Sequence, residues 1–161
     1  MNRVFVIILG GIIMAYANAI STYRETKVKT ASQGQLIIML YDAAIKNLDR
    51  ALELMKLNVG ENATPANIEK ISNSVLKTQE LLTELIVSLD FEQGGEIANN
   101  LFSLYTWFIR ELVEANITQD TNRVTTVRNL LDDLKSAWVE IAAKNSAETA
   151  GKVITGLDIA G

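Results

Sequence analysis

Apolar and polar residues alternate with a helical period along four stretches of the chain. In each stretch the apolar positions are three or four residues apart, which places them on one face of an α-helix. The fourth stretch is the most regular, with Val124, Val127, Leu131, Leu134, Trp138 and Ile141. Short connectors separate the stretches, and short connectors make consecutive helices run in opposite directions. The pattern predicts an all-α fold, an antiparallel up-down four-helix bundle with a loose N-terminal leader and C-terminal tail.

Three positions predict where the helices begin. Ser32 stands three residues before Gln35, so the two side chains are expected to form a capping box for helix one. Thr64 followed by Pro65 marks the start of helix two, because proline suits the first turn, where its N–H group is not needed. The pair Gly94–Gly95 is expected to form a tight reversal, after which helix three begins.

The two ends of the chain differ in composition from the predicted bundle. Residues 1–19 form an apolar leader, and residues 20–144 form the four-helix bundle. Residues 145–161 are rich in small residues and are expected to form a flexible tail or a short helix. No internal repeat or second domain is indicated.

The leader has an apolar run from Val4 to Met14, preceded by Arg3. At about 1.5 Å of rise per residue this run is too short to cross a hydrocarbon layer of roughly 30 Å. Three interpretations stay open. Translation begins at Met14, so that the preceding residues are an upstream extension; or the leader is a signal peptide cleaved after Ala17 or Ala19; or it is an apolar anchor.

Composition narrows the range of functions. The chain of 161 residues has a net charge of −4 at pH 7 and contains no histidine and no cysteine. These absences remove the commonest general base near neutral pH and the usual ligands of zinc, haem and di-iron sites. The acidic chain as a whole also lacks the cationic surface that binds nucleic acid. We therefore expect a protein that is not an enzyme and has no cofactor, no metal site, no nucleic-acid partner and no stable membrane insertion.

Helices one and three carry more apolar residues than one buried face accommodates. In helix three, Phe102, Trp107 and Ile109 lie off the main apolar stripe. This surplus predicts exposed apolar surface, which is typical of a binding site for another protein. A partner helix in a groove, self-association, or the chain's own N-terminal segment around Tyr23 would cover it.

Two motifs stand out in the predicted bundle. The first is Thr30-Ala31-Ser32 followed by the segment Leu36 to Ile45, and the second is Ser88 to Ala98. Together they resemble the two most recognisable stretches of the FliS family of flagellar export chaperones. The similarity continues in the same order at Asn100-Leu101, Leu104-Tyr105, Arg110, Glu114 to Ile117 and Trp138.

The resemblance implies a cytoplasmic chaperone that binds the C-terminal segment of flagellin, prevents its premature polymerisation and delivers it to the flagellar export apparatus. It also allows an export-gate component or an anti-sigma factor as a further partner, with the chain itself a monomer or a weak homodimer. The flagellin segment would fold as amphipathic helices over apolar surface, for which Tyr23 would compete. The residues expected to bind the partner are Tyr23, Ile38, Tyr41, Ile45, Leu104, Tyr105 and Phe108.

Two other functions fit the same residues. The exposed apolar stripes would also serve a structural bundle that associates with itself, and a heavy complex in the absence of flagellin peptide would indicate it. If the leader is a signal peptide, the chain is instead a secreted helical protein.

Overall fold

The computed structural model describes residues 33–159, and helices joined by short turns account for this part of the chain. The four α-helices are α1 (Gln33–Leu57), α2 (Pro65–Val87), α3 (Phe91–Thr118) and α4 (Thr121–Ile159). A single 3-10 turn, Gly60–Asn62, lies between α1 and α2. No strand occurs between residues 33 and 159, which confirms the predicted all-α fold. The leader, Tyr23 and the expected Ser32 cap lie outside the described residues.

Each helix packs against two others: α1 lies beside α2 and α4, and α3 also lies beside α2 and α4. Two ion pairs join α1 to α4. Lys135 binds Asp42 at 2.6 Å, and Arg128 binds Asp49 at 2.8 Å. The numbers rise along α1 while they fall along α4, so these two helices are antiparallel.

Two hydrogen bonds give the direction of α2 relative to α3. The Ser72 hydroxyl donates to the side chain of Asn116 at 2.9 Å, and the Gln79 side-chain amide donates to the backbone carbonyl of Ile109 at 3.3 Å. Residue numbers rise along α2 while they fall along α3, so these two helices are also antiparallel. Since the turn between α3 and α4 spans only residues 119–120, these two helices also reverse. The fold is the predicted up-down four-helix bundle.

The starts of α2 and α3 are fixed by side chains that accept hydrogen bonds from free backbone N–H groups. The Thr64 hydroxyl accepts from the backbone N–H of Asn67 at 3.2 Å, which confirms the predicted cap of α2. The Asp90 carboxylate accepts from the N–H groups two and three residues later, at 3.0 and 2.9 Å. Helix α3 therefore begins with one turn at Phe91 that the sequence did not predict, and the predicted helix follows after a break at Gly95.

Gly95 kinks α3 near its start. Its φ of 49° and ψ of −122° lie outside the helical region, although the helix continues on both sides. A positive φ of this kind is readily adopted only by glycine. The Gly94–Gly95 pair thus bends the first turn of α3 away from the rest of the helix, and the reversal of the chain takes place just before it, at residues 88–90.

The core lies along the bundle axis, and all four helices contribute to it. Most of its members come from the apolar stripes that the sequence predicted. The largest fully buried side chains are Tyr41, Leu48, Ile71, Val75, Leu82, Leu85, Tyr105, Phe108, Leu112, Val124, Val127 and Leu131.

Helix α4 is much longer than its neighbours. It continues without a break through residues 145–159, for which the sequence predicted either a loose tail or a short appended helix. A Cβ atom built on Gly34 would lie 3.6 Å from that of Ala142, so the first turn of α1 stands beside α4 just before residue 145. Residues 143–148, beyond Ala142, are exposed.

Candidate functional site

Four of the side chains that the sequence assigned to partner binding lie inside the bundle. Tyr41 and Phe108 are fully buried, Tyr105 is 1 % exposed, and Ile45 is 6 % exposed. These four side chains have little or no solvent-exposed surface, although Tyr105 lines the cavity described below, and their contact with a partner stays a prediction. Their positions face the bundle axis, where α1 and α3 meet across the core, and the width of the apolar arc in the sequence did not reveal this. Ile38 and Leu104 are partly buried.

The two buried tyrosines satisfy each other's hydroxyl groups. Tyr41 and Tyr105 are joined by a hydrogen bond between their hydroxyls, with ring centroids 6.4 Å apart. Phe108 continues the aromatic cluster, with its ring centroid 6.4 Å from that of Tyr105. A buried polar group is tolerated only when it is hydrogen-bonded, so this pair explains how tyrosines can occupy core positions.

Both phenols stay protonated near neutral pH. Burial raises the pKa of Tyr41 above its ordinary value of 10.0, and hydrogen bonds with Tyr105 and Trp138 oppose part of this effect. Burial also raises the pKa of Tyr105, and the neighbouring Tyr41 raises it further. The pair is therefore a neutral structural contact, with no acid or base function near neutral pH.

An apolar cavity of about 200 Å³ opens at the end of the bundle where α1 begins, α2 ends and α3 begins. We call it the apolar pocket. Tyr105 and Leu85, which line it, are almost fully buried, while Ile97 at its rim is 71 % exposed. The lining residues are Ile37, Leu85, Ser88, Leu89, Asp90, Gly94, Ile97, Ala98, Leu101, Tyr105 and Trp138.

Sequence reasoning missed this pocket because it assigned its apolar residues to buried helical stripes. Two signals could have indicated it. Ile97 lies two residues after Gly95, and Leu89 directly precedes Asp90, so both apolar residues lie close to a break in helical structure. Near a helix end fewer neighbouring side chains are available to cover an apolar residue. Such positions stay accessible even on a correctly predicted stripe.

Exposed aromatic surface lies next to the pocket. The rings of Phe91 and Phe102 meet edge to face, with centroids 6.1 Å apart, and both side chains are about half exposed. Val87 is also exposed, and residues 88–90, which line the pocket, lie between Val87 and Phe91 in the chain. The prediction that not all the surplus residues of α3 are buried is confirmed by Phe102, whereas Trp107 and Ile109 are partly buried against the core.

Within residues 33–159, neither a metal site nor a membrane span accompanies the pocket. No group of histidine, cysteine, aspartate or glutamate residues that could hold a metal ion occurs among them. No helix within the same range combines the length and the hydropathy that a membrane span requires. The pocket is lined mainly by apolar side chains, together with Ser88 and Asp90.

Comparison with known proteins gives a consistent result. A family model described as "Flagellar protein FliS" matches residues 16–145. The chain is 37 % identical over 122 residues to a protein of Salmonella typhimurium named flagellar secretion chaperone FliS, covering 76 % of this chain and 85 % of the relative. A protein of the same name from Escherichia coli K12 is 34 % identical over 116 residues, covering 72 % of this chain and 80 % of the relative.

More distant similarity extends to Bacillus subtilis. Its flagellar secretion chaperone FliS is 27 % identical over 125 residues, covering 78 % of this chain and 86 % of the relative. The matched region contains both sequence motifs, the whole apolar pocket and all but the distal part of α4. This is a family of chaperones and not of enzymes, which confirms the expectation that the chain has no catalytic activity. The chain belongs to the FliS family of flagellar secretion chaperones.

Proposed function

We propose that this protein is a flagellar export chaperone that binds the C-terminal segment of flagellin in the cytosol, prevents its premature polymerisation and delivers it to the export apparatus. The observation that supports this most directly is the apolar pocket at the open end of the bundle, with Ile97 standing 71 % exposed at its rim. Relatives of similar sequence are named flagellar secretion chaperones, which is the role such an opening would serve.

The pocket suits an amphipathic helix. Its lining is mainly aliphatic and aromatic, so a client helix would gain stability by placing successive apolar side chains between Ile37, Ile97 and Leu101. The exposed Phe91 and Phe102 rings would extend the contact beyond the pocket. A disordered terminus that folds on binding in this way loses entropy, and burial of apolar area offsets that loss.

The buried residues have a supporting role in this proposal. Tyr105 lines the pocket, and Tyr41 and Phe108 contact Tyr105 from within the core. Ile38 and Leu104, which are partly buried, remain proposed contact residues together with the rim. The competition of Tyr23 for the same surface stays a prediction, as do an export-gate component or an anti-sigma factor as further partners.

A pair of isoleucines on α3 provides a matched test. Ile97 lies at the rim of the pocket and is 71 % exposed, while Ile117, near the other end of the same helix, is 72 % exposed. Ile97→Asp is expected to weaken binding of a fluorescent peptide from the flagellin C-terminus by about tenfold or more, because the rim of the pocket becomes charged. Ile117→Asp is expected to change it less than about twofold. Fluorescence anisotropy measures both, and circular dichroism checks that each variant is folded.

Equal binding by both variants and the wild type would exclude the pocket as the flagellin site. The self-associating structural bundle is distinguished by light scattering. In the proposed function the wild type stays small without the peptide and forms a complex with it, whereas a large species in the absence of peptide would favour self-association through Phe91 and Phe102.

A further inference from the structure

A second cleft, on a different pair of helices, has the opposite chemistry to the apolar pocket. It lies between α1 and α2, has a volume of about 200 Å³, and shares no lining residue with the apolar pocket. We call it the cationic cleft. All six residues that line it are polar or charged: Asn47, Arg50, Lys70, Asn73, Ser74 and Lys77.

The three cations of this cleft have no ion pair within residues 33–159. On α4, by contrast, Arg123, Arg128 and Lys135 each pair with a carboxylate, Arg123 with Glu111 at 2.7 Å. Arg50, Lys70 and Lys77 are exposed and lack such a partner in the described part of the chain. In a protein whose net charge is −4, a cleft lined by three unpaired cations is a local region of positive potential.

The spacing of the cations indicates the shape of the ligand. Lys70 and Lys77 lie two helical turns apart, about 10 Å along α2, and Arg50 faces them from α1. A ligand whose negative charges are about 10 Å apart would meet both lysines at once. Carboxylates on successive turns of a helix have a matching repeat, and the side-chain amides of Asn47 and Asn73 supply further hydrogen bonds between the charges.

We propose that the cationic cleft binds an acidic helical segment of a second protein. Nucleic acid is disfavoured, because the protein as a whole is acidic and would repel a phosphate backbone outside the cleft. The flagellin contact proposed above depends on apolar surface that the cleft does not contain. Because the two sites share no residue, an acidic partner would bind while the apolar pocket is occupied.

The test uses the full chain and two labelled helical peptides of about fifteen residues. One carries glutamates along one face, and the other carries glutamines at the same positions. At about 50 mM salt the glutamate peptide is expected to bind about tenfold more tightly than the glutamine peptide, and at about 300 mM salt most of this advantage is lost through screening. Binding is measured by fluorescence anisotropy.

Two double variants with the same change of net charge locate the site. Lys70→Glu/Lys77→Glu is expected to remove the preference for the glutamate peptide. Lys56→Glu/Lys144→Glu, which alters two exposed lysines outside the cleft, is expected to keep most of it. Circular dichroism confirms that both variants are folded. An equal loss in the two variants would overturn the proposal, since it would show attraction by net charge alone.

Three further outcomes also overturn it. The first is equal binding of the glutamate and glutamine peptides by the wild type. The second is displacement of the peptide by inorganic phosphate at about 1 mM, which would assign the cleft to a small anion. The third is tighter binding of a labelled DNA duplex than of the glutamate peptide. If Ile97→Asp keeps the preference for the glutamate peptide, binding at the cationic cleft does not depend on the proposed flagellin site.

Discussion

The aromatic centre of the bundle and the apolar pocket at its end are built from the same helical stripes, yet one is closed and the other is open. Tyr41, Tyr105 and Phe108 are surrounded by side chains from neighbouring helices and are almost completely buried. Ile97 belongs to the same face of α3, but it lies beside the kink at Gly95 and is 71 % exposed. Accessibility is thus decided by position along the bundle axis, because helix ends supply fewer covering neighbours.

The strongest test of this comparison is truncation of one aromatic residue from each region. Phe108→Ala removes a fully buried ring and is expected to lower the free energy of unfolding by about 3–5 kcal/mol. Phe102→Ala removes a ring that is 44 % exposed and is expected to cost about 1 kcal/mol. Urea unfolding followed by circular dichroism measures both. If Phe108→Ala kept its stability and lost the flagellin peptide instead, Phe108 would be a contact residue and not a core residue.

The second test measures whether water reaches the buried hydroxyls of Tyr41 and Tyr105. Since the pKa values of Tyr41 and Tyr105 are raised in the folded bundle, the unfolded chain loses these protons first, above about pH 10. Stability is therefore expected to be unaffected by the pair below that pH and to fall as the pH rises beyond it. The double variant Tyr41→Phe/Tyr105→Phe should show a shallower fall between about pH 9 and pH 11 in urea titrations. Identical slopes would mean that the phenols titrate normally and that water reaches them.

The single variants Tyr41→Phe and Tyr105→Phe test the hydrogen bond between the two hydroxyls. Tyr41→Phe leaves the hydroxyl of Tyr105 without its partner and is expected to lower the free energy of unfolding by about 1–3 kcal/mol. The double variant should cost less than the sum of the two single variants, because it removes both polar groups together.

The smallest expected effect concerns the kink at Gly95, next to the pocket residue Gly94. Gly95→Ala places a side chain at a φ of 49° and is expected to cost about 1 kcal/mol. Gly151→Ala is the control, because its φ is not positive and open space surrounds the added methyl group. This control should leave the midpoint of unfolding unchanged. Equal midpoints for the two variants would show that the kink is not needed.

The sequence predicted the helices better than it predicted their surfaces. Four amphipathic stretches and the Thr64 cap were enough to indicate the bundle, because local periodicity and capping depend on neighbours in the chain. The first turn of α3 was missed, since two consecutive glycines suggest a turn and the capping role of Asp90 was overlooked. Whether Tyr41 is core or surface depends on the distant Tyr105, whose hydroxyl it meets across the bundle. Contacts of that kind are not visible in local sequence.

The length of α4 affects how the protein unfolds. Its 39 residues correspond to about 58 Å, against about 38 Å for the 25 residues of α1, which begins beside Ala142. From residue 143 to residue 148 every side chain is exposed, so these turns can lose their helical hydrogen bonds without disturbing a single core contact. The turns at residues 143–148 are thus expected to unfold locally, while cooperative unfolding is expected of the four packed segments before them.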